Sequence, residues 1–186
     1  MLESTLSQPR PTIDSAAGAA EWFAVRVKTT HEKRVAALLD HKGYEHFLPL
    51  YLDRRRWSDR IKEVELPLFP GYIFCRFEHN ARLGILKTPG VYRILGIGNL
   101  PAPVDEHEIA AIQLAMSSGL CARPHPYLAV GQRVRVEGGS LSGVEGLIVD
   151  VRSRDRLILS ISLLQRSIAL EIDSAWVSPL SEETTN

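Results

Sequence analysis

The chain has 186 residues with 22 basic and 22 acidic side chains, so its formal net charge is zero. This balance argues against a protein that holds nucleic acid over its whole surface, because such proteins are normally basic. No apolar run reaches the roughly 18–20 residues of a membrane span, the N-terminus lacks signal-peptide features, and the two cysteines have neither metal-type nor disulfide-framework spacing. We therefore expect a cytoplasmic protein with no contact to membranes, whose contacts with nucleic acid are local.

The composition along the chain predicts two domains. Residues 1–20, rich in Ser, Ala and Pro, are expected to form a disordered leader. A first domain is predicted at 21–118 and a second at 128–180. Between them, 119–127 contains Gly and two prolines and has the composition of a linker.

The first domain opens with a predicted strand, EWFAVRV, followed by the most clearly patterned helix of the chain. Thr29 and Glu32 have the spacing of a capping box, in which each side chain satisfies a backbone N–H at the start of the helix. Apolar residues then recur at helical spacing, and Gly43 provides the left-handed stop. The pattern predicts a helix over 30–42.

The segment LPLFPGYIFCRF, residues 66–77, predicts a strand that starts at a turn. Pro70 fixes φ and Gly71 suits a turn, so the strand is expected to begin at Tyr72. Because side chains alternate along a strand, one face is purely apolar and the other carries two aromatic residues and then a charge. We expect the first face to enter the core and the second to be half-buried.

The remaining segments complete an α+β domain and a separate all-β domain. A strand at 45–51, an exposed charged hairpin, a further strand and a helix within VDEHEIAAIQLAM predict an antiparallel sheet with packed helices. After residue 128, about five short alternating strands predict a small β-barrel.

In its motifs and their order, the sequence resembles the NusG family of transcription elongation factors. The resemblance covers about 21–180 and depends on the WF of the first strand, on PLFPGYIF, on TPGVYRILG and on APVDEHEI. In the second domain, VGQRVRVEGGSLSGVEGLIVDV resembles a KOW motif, with Gly139 and Gly146 at its characteristic glycines. The implied fold is an N-terminal NGN domain, a linker and a C-terminal KOW barrel.

The resemblance implies a binding site for RNA polymerase. In the family, an aromatic-lined concavity of the NGN domain holds a helical coiled-coil arm of the large, clamp-forming subunit of the polymerase. The alternative is that the matching side chains are core aromatics of a small domain. The matching residues are Trp22, Phe69, Pro70, Tyr72 and Phe74.

The resemblance also implies a contact with the non-template DNA strand, near the exposed side of the predicted helix 30–42. Basic side chains there would supply the local phosphate contacts that remain open to a neutral protein. The alternative is an ordinary solvated helix face. The matching residues are Lys28, Arg34, His41 and Lys42.

The second domain departs from the housekeeping members of the family. Where these carry an aromatic-glycine-arginine step that binds Rho or a small-subunit ribosomal protein, this chain has Leu164, Gln165 and Arg166. Leu164 and Arg166 are the candidate partner-binding residues of the barrel. The change indicates a specialised paralogue, similar to RfaH, UpxY or LoaP, that promotes antitermination on selected operons. The alternative is a housekeeping protein whose partner site is intact.

Two other classes of protein are disfavoured. No nucleophile motif, phosphate loop or metal-type spacing is present, so we expect no enzyme activity, cofactor or metal. A ribosomal RNA-binding protein would share the KOW motif but would normally be basic. The expected protein is a monomeric transcription factor whose C-terminal domain forms strands only, because serines interrupt the apolar positions between Leu157 and Leu163.

Overall fold

The computed structural model describes residues 19–56, 61–98, 100–127, 131–150 and 155–180. Except for residues 19 and 20, the predicted leader lies outside the described residues. The strands of the N-terminal half are β1 (Glu21–Val27), β2 (Glu45–Phe47), β3 (Leu50–Arg56), β4 (Ile61–Pro67), β5 (Tyr72–Phe77), β6 (Val91–Ile94), β7 (Gly96–Ile97) and β8 (Leu100–Pro101). Its helices are α1 (Glu32–His41), α2 (Arg82–Leu86) and α3 (Glu106–Ser117).

The N-terminal sheet has four antiparallel strands in the order β2-β5-β1-β6. Its first face carries Phe23, Val25 and Ile73, which lie in one buried cluster with residues of α1 and α2. This is the apolar face that the sequence predicts for β5. The opposite face carries Trp22 and Phe74, which belong to a second buried cluster that includes residues of α3. Both faces of this sheet are therefore covered.

The start of α1 differs from the predicted capping box. The helix begins at Glu32 after His31, and no side chain caps its first turn. The Glu32 side chain is buried, and its Oε1 accepts a hydrogen bond from the backbone N–H of Gly71 at 2.8 Å. The capping-box prediction is wrong because a tertiary hydrogen bond takes this carboxylate. The predicted stop is confirmed, since Gly43 has a φ of +76°.

The predicted strand at 45–51 is two strands, β2 and β3. The break falls at Leu48 and Pro49, and the carbonyl of Pro49 accepts a hydrogen bond from the Leu68 N–H at 2.9 Å. Proline lacks the N–H that a strand interior needs, which accounts for the break. Strands β3 and β4 form the predicted charged hairpin.

The C-terminal sheet contains six antiparallel strands. They are β9 (Ala122–Pro126), β10 (Gln132–Val136), β11 (Glu145–Asp150), β12 (Asp155–Ile161), β13 (Arg166–Glu171) and β14 (Val177–Pro179), in the order β14-β10-β11-β12-β13-β9. The predicted all-β character of this part of the chain is confirmed. The segment predicted as a linker, 119–127, contains β9, which pairs with β13 at the edge of this sheet.

The two glycines of the KOW-like motif have distinct structural reasons. Gly139 has a φ of +70°, and a Cβ there would lie 2.6 Å from the ring of Trp176. A Cβ at Gly146 would lie 2.7 Å from the carbonyl oxygen of Ile158 on the neighbouring strand. Both positions therefore require a residue without a side chain.

Candidate partner-binding surfaces

Three hydrogen bonds fix the turn before β5. Gly71 has a φ of +84°, which favours glycine. Its carbonyl accepts from the Val27 N–H at 2.9 Å, its N–H donates to Glu32, and the Tyr72 N–H closes the turn onto the Phe69 carbonyl at 3.1 Å. The turn is thus fixed between the end of β1 and the start of α1.

The five residues that the resemblance assigns to polymerase binding lie together but differ in exposure. Trp22, Phe69 and Phe74 are 5%, 1% and 0% exposed, whereas Tyr72 is half-buried and Pro70 is exposed. The Phe69 and Phe74 rings meet edge to face with their centroids 5.6 Å apart. Phe74 is therefore a core residue here, and the expectation of a half-buried aromatic face holds for Tyr72 alone.

The C-terminal sheet covers part of this aromatic surface. The Arg166 guanidinium carbon lies 5.3 Å from the centre of the Tyr72 ring, a cation–π distance. Arg166 also donates a hydrogen bond through Nη1 to the Pro70 carbonyl at 3.2 Å. A residue assigned to the partner site of the second domain thus contacts two residues assigned to the polymerase site of the first.

Helix α3 forms the main contact between the two sheets. Its Ile109 and Ile112 are fully buried in the same cluster as Leu159 and Ile161 of the C-terminal sheet. At the edge of this apolar contact, the Glu108 carboxylate accepts hydrogen bonds from the Ser162 hydroxyl at 2.6 Å and from the Ser162 N–H at 3.1 Å. Apolar burial and this polar pair hold the two parts of the chain against each other.

A second polar contact joins the β3–β4 hairpin to β9. Arg123 donates to the Asp53 carboxylate at 3.2 Å, and its guanidinium lies 5.3 Å from the centre of the Tyr51 ring. These contacts were not found from the sequence. The hydrogen bond joins residues 70 positions apart, and neither motif nor periodicity signals such a pairing.

The Leu164-Gln165-Arg166 step lies where a short 3-10 turn, Ser162–Leu164, leads into β13. Leu164 is 9% exposed and belongs to the buried cluster beneath α3. Gln165 has a φ of +51°, the left-handed conformation that favours glycine, and its side-chain amide donates to the Ser162 carbonyl at 2.9 Å. Gln165 thus stands where the housekeeping step has a glycine, although its backbone keeps the conformation that glycine favours.

The basic residues assigned to DNA contact are all exposed, but they are not equivalent. Lys42 donates through Nζ to the Thr88 hydroxyl at 2.7 Å and to the Gly84 carbonyl at 3.0 Å, so it joins the end of α1 to α2 and to the residues that follow α2. Lys28 lies just beyond β1. Arg34 and His41 lie seven residues apart on α1, close to two helical turns, and therefore share one face.

Other ionisable groups have structural roles. Hydrogen bonding from Arg135 lowers the pKa of Glu145, and the two side chains form an ion pair at 2.6 Å on the C-terminal sheet. Burial raises the pKa of Cys75 to about 12. Across the described ranges, no three His, Cys, Asp or Glu side chains are grouped to hold a metal ion, and no helix is long and apolar enough to cross a membrane.

Comparison with known proteins identifies relatives of this chain. Residues 20–113 match the family model described as "Transcription termination factor nusG". The chain is 29% identical over 167 residues to the transcription termination/antitermination protein NusG of Lactococcus lactis, covering 82% of this chain and 89% of that protein. It is 26% identical over 179 residues to the protein of the same name from Thermus thermophilus, covering 84% and 97% of the two chains.

A solved structure supports the fold. The structure titled "Domain interaction in Thermotoga maritima NusG" aligns with a TM-score of 0.51 at 18% identity, covering 87% of this chain and 98% of that one. At this identity the likeness concerns the fold alone. It extends over both sheets.

Proposed function

The chain belongs to the NusG family, and from this premise we propose that it binds the clamp-forming large subunit of RNA polymerase and promotes processive elongation and antitermination on selected operons. The family match carries the proposal: it spans residues 20–113, which include every residue assigned to the polymerase site. The relatives are named for termination and antitermination of transcription. We place its action in the cytoplasm, as a monomer and without a catalytic role.

In the proposed site, Tyr72 makes the central contact with a helix of the polymerase. It is half-buried at a fixed turn, so its ring is presented with little loss of side-chain entropy on binding. Pro70 provides an exposed apolar edge beside it. The buried Trp22, Phe69 and Phe74 support the surface from beneath, since they form the cluster on which Tyr72 packs.

Binding at Tyr72 requires the C-terminal sheet to move. Arg166 lies over the Tyr72 ring, the face that a partner helix would contact. The polar contacts of the sheet with the first part of the chain are exposed or partly exposed and individually weak, so the apolar burial around α3 is the main contact that holds the sheet. We therefore propose that polymerase and the C-terminal sheet compete for Tyr72.

We further propose that the exposed side of α1 contacts the non-template DNA strand. Arg34, His41 and Lys28 offer the basic groups, and α1 is fixed to the polymerase-binding turn through Glu32. Lys42 supports this surface by holding the end of the helix.

A housekeeping role, coupling transcription to Rho or to the ribosome through Leu164 and Arg166, is the second candidate. The length of the match favours it, because 82% of the chain aligns with a protein named NusG in Lactococcus lactis. The composition of the 164–166 step favours the specialised role. Binding of Rho distinguishes the two.

The proposed polymerase site is tested with the full chain and purified core RNA polymerase. Tyr72→Ala should weaken binding by about 2 kcal/mol, or roughly 30-fold, the usual scale of an aromatic hot spot. Leu83→Ala, which truncates an exposed leucine of α2, is the control and should bind like the wild type. Equal affinity of Tyr72→Ala and wild type would overturn the proposed site.

A further inference from the structure

Three side chains form a row across the N-terminal sheet. Strand register pairs Tyr72 of β5 with Arg26 of β1, and Arg26 in turn with Arg93 of β6. Directly paired residues of antiparallel strands project from the same face of the sheet. The row therefore runs from the half-buried tyrosine to two exposed arginines.

The two arginines are uncompensated within the part of the chain that the structure describes. Neither Arg26 nor Arg93 has an ion pair or a side-chain hydrogen bond there. Strands β5 and β6 contain no acidic residue. The acidic residue of β1, Glu21, lies at the end of that strand away from Arg26. Like charges directly opposite each other in a sheet are destabilising. The pair of Arg26 and Arg93 therefore destabilises the fold slightly. Both guanidinium groups are available to bind an anion.

The position of the pair favours a protein partner over a nucleic acid. Along β1, the same face carries Trp22 and Ala24, both buried, and ends at exposed Arg26. Trp22 and Ala24 belong to the core beneath α3, so the apolar group that this face offers to a partner is the half-buried Tyr72 ring. A protein interface typically has an apolar centre and a polar rim, and the row places two exposed arginines beside that ring. Of the basic groups assigned to DNA, Arg34 and His41 lie on α1, which packs on the other face of the sheet.

We propose that Arg26 and Arg93 bind two carboxylates that lie one turn apart on the partner helix contacted by Tyr72. Neighbouring strands are about 4.8 Å apart, and side chains at i and i+4 of a helix have Cβ atoms about 5–6 Å apart, so the two spacings match. Each guanidinium can bind a carboxylate through paired hydrogen bonds. This inference rests on the proposed polymerase site. It adds that the partner helix is acidic where it meets the two arginines.

The test measures binding of the full chain to core RNA polymerase at two salt concentrations, about 50 and 300 mM, which differ strongly in screening. The charge reversal R26E/R93E should weaken binding at least about 10-fold at low salt. R26Q/R93Q removes the two charges without reversing them and so perturbs the fold less. It should remove most of the salt dependence of polymerase binding. Lys87→Glu, an exposed charge reversal after α2, should bind like the wild type.

A parallel titration with a labelled single-stranded oligonucleotide separates the outcomes. The inference is overturned if both arginine variants bind polymerase like Lys87→Glu while Tyr72→Ala loses binding; the polymerase site would then stand without it. It is also overturned if R26E/R93E loses oligonucleotide binding and keeps polymerase binding, because the pair would then serve nucleic acid. If Tyr72→Ala binds like the wild type, the proposed polymerase site itself fails.

Discussion

The carboxylate of Glu32 accepts a hydrogen bond from the backbone N–H of Gly71, and this 2.8 Å contact joins the first residue of α1 to the turn that positions Tyr72. Glu32 is 4% exposed, so the bond is shielded from water. It links the helix proposed to contact DNA to the turn proposed to contact polymerase. Both surfaces depend on one buried carboxylate.

We expect Glu32→Ala to lower the free energy of unfolding by about 2–3 kcal/mol, because the Gly71 N–H loses a charged acceptor in a buried position. Glu32→Gln retains an acceptor oxygen and should cost less. Urea unfolding of the full chain measures both values. Glu65→Ala, which removes an exposed ion pair with Lys33, should cost under about 1 kcal/mol. A similar loss for Glu32→Ala and Glu65→Ala would contradict the role of the buried bond.

Local pattern was sufficient to predict α1, its end at Gly43 and the start of β5. Each depends on neighbouring residues: helical spacing, a left-handed glycine or a Pro-Gly turn. The capping box at Thr29 was predicted by the same kind of rule, but the partner of Glu32 is 39 residues away. A sequence motif cannot show such a competitor, which is why this prediction failed.

Contacts between distant segments could not be predicted. The burial of Phe74 results from packing on the second face of the N-terminal sheet, the face that α3 covers, and β9 forms because an edge of β13 is open to pairing. The row of Tyr72, Arg26 and Arg93 requires strand order and register, and neither follows from the period of two. The sequence could thus assign residues to the proposed polymerase site through family resemblance, but it could not predict their exposure.

Substitutions of Arg34 in α1 and of Lys42 just after it should have different effects on DNA contact and on stability. Arg34→Ala is expected to reduce crosslinking to the non-template strand in an elongation complex, with little change in stability, because Arg34 is exposed. Lys42→Ala should also lower the free energy of unfolding by about 1 kcal/mol, since its Nζ bonds to Thr88 and Gly84 are lost. Crosslinking at low and high salt and urea unfolding measure the two effects. If Arg34→Ala crosslinks to the non-template strand like the wild type, this face of α1 is an ordinary solvated helix face.

Glu108→Ala should loosen the contact between α3 and the C-terminal sheet. The variant loses the hydrogen bonds to Ser162, an effect of about 1 kcal/mol at this exposed edge. If the sheet competes with polymerase for Tyr72, polymerase affinity should rise by up to about 5-fold. Glu106→Ala on the same helix breaks an exposed ion pair with Arg76 and serves as the control. Weaker polymerase binding by Glu108→Ala would contradict the competition.

The two cysteines should differ in reactivity toward a thiol reagent at pH 8. Cys121 is exposed, whereas burial raises the pKa of Cys75 to about 12 and leaves roughly one thiol in 10,000 ionised. The native chain should therefore titrate one thiol and the unfolded chain two. Cys121→Ser should titrate none in the native state. Rapid labelling of native Cys121→Ser would show that Cys75 is accessible.

The last prediction concerns the partner of the C-terminal sheet. Leu164 is almost fully buried and Gln165 replaces the glycine of the housekeeping step, so the surface offered to Rho lacks both the aromatic side chain and the glycine. We expect the full chain to bind Rho more weakly than the micromolar range, which corresponds to about −8 kcal/mol. The double variant L164F/Q165G restores both features and should bind more tightly, because the aromatic side chain can serve as a hot spot beside Arg166 once the C-terminal sheet leaves α3, which covers position 164. The matched control L163F/Q165G places the aromatic side chain one position earlier and should not improve binding. Titration of labelled protein with Rho distinguishes the cases: micromolar or tighter binding by the unmodified chain would establish the housekeeping role, with Leu164 as a conservative replacement.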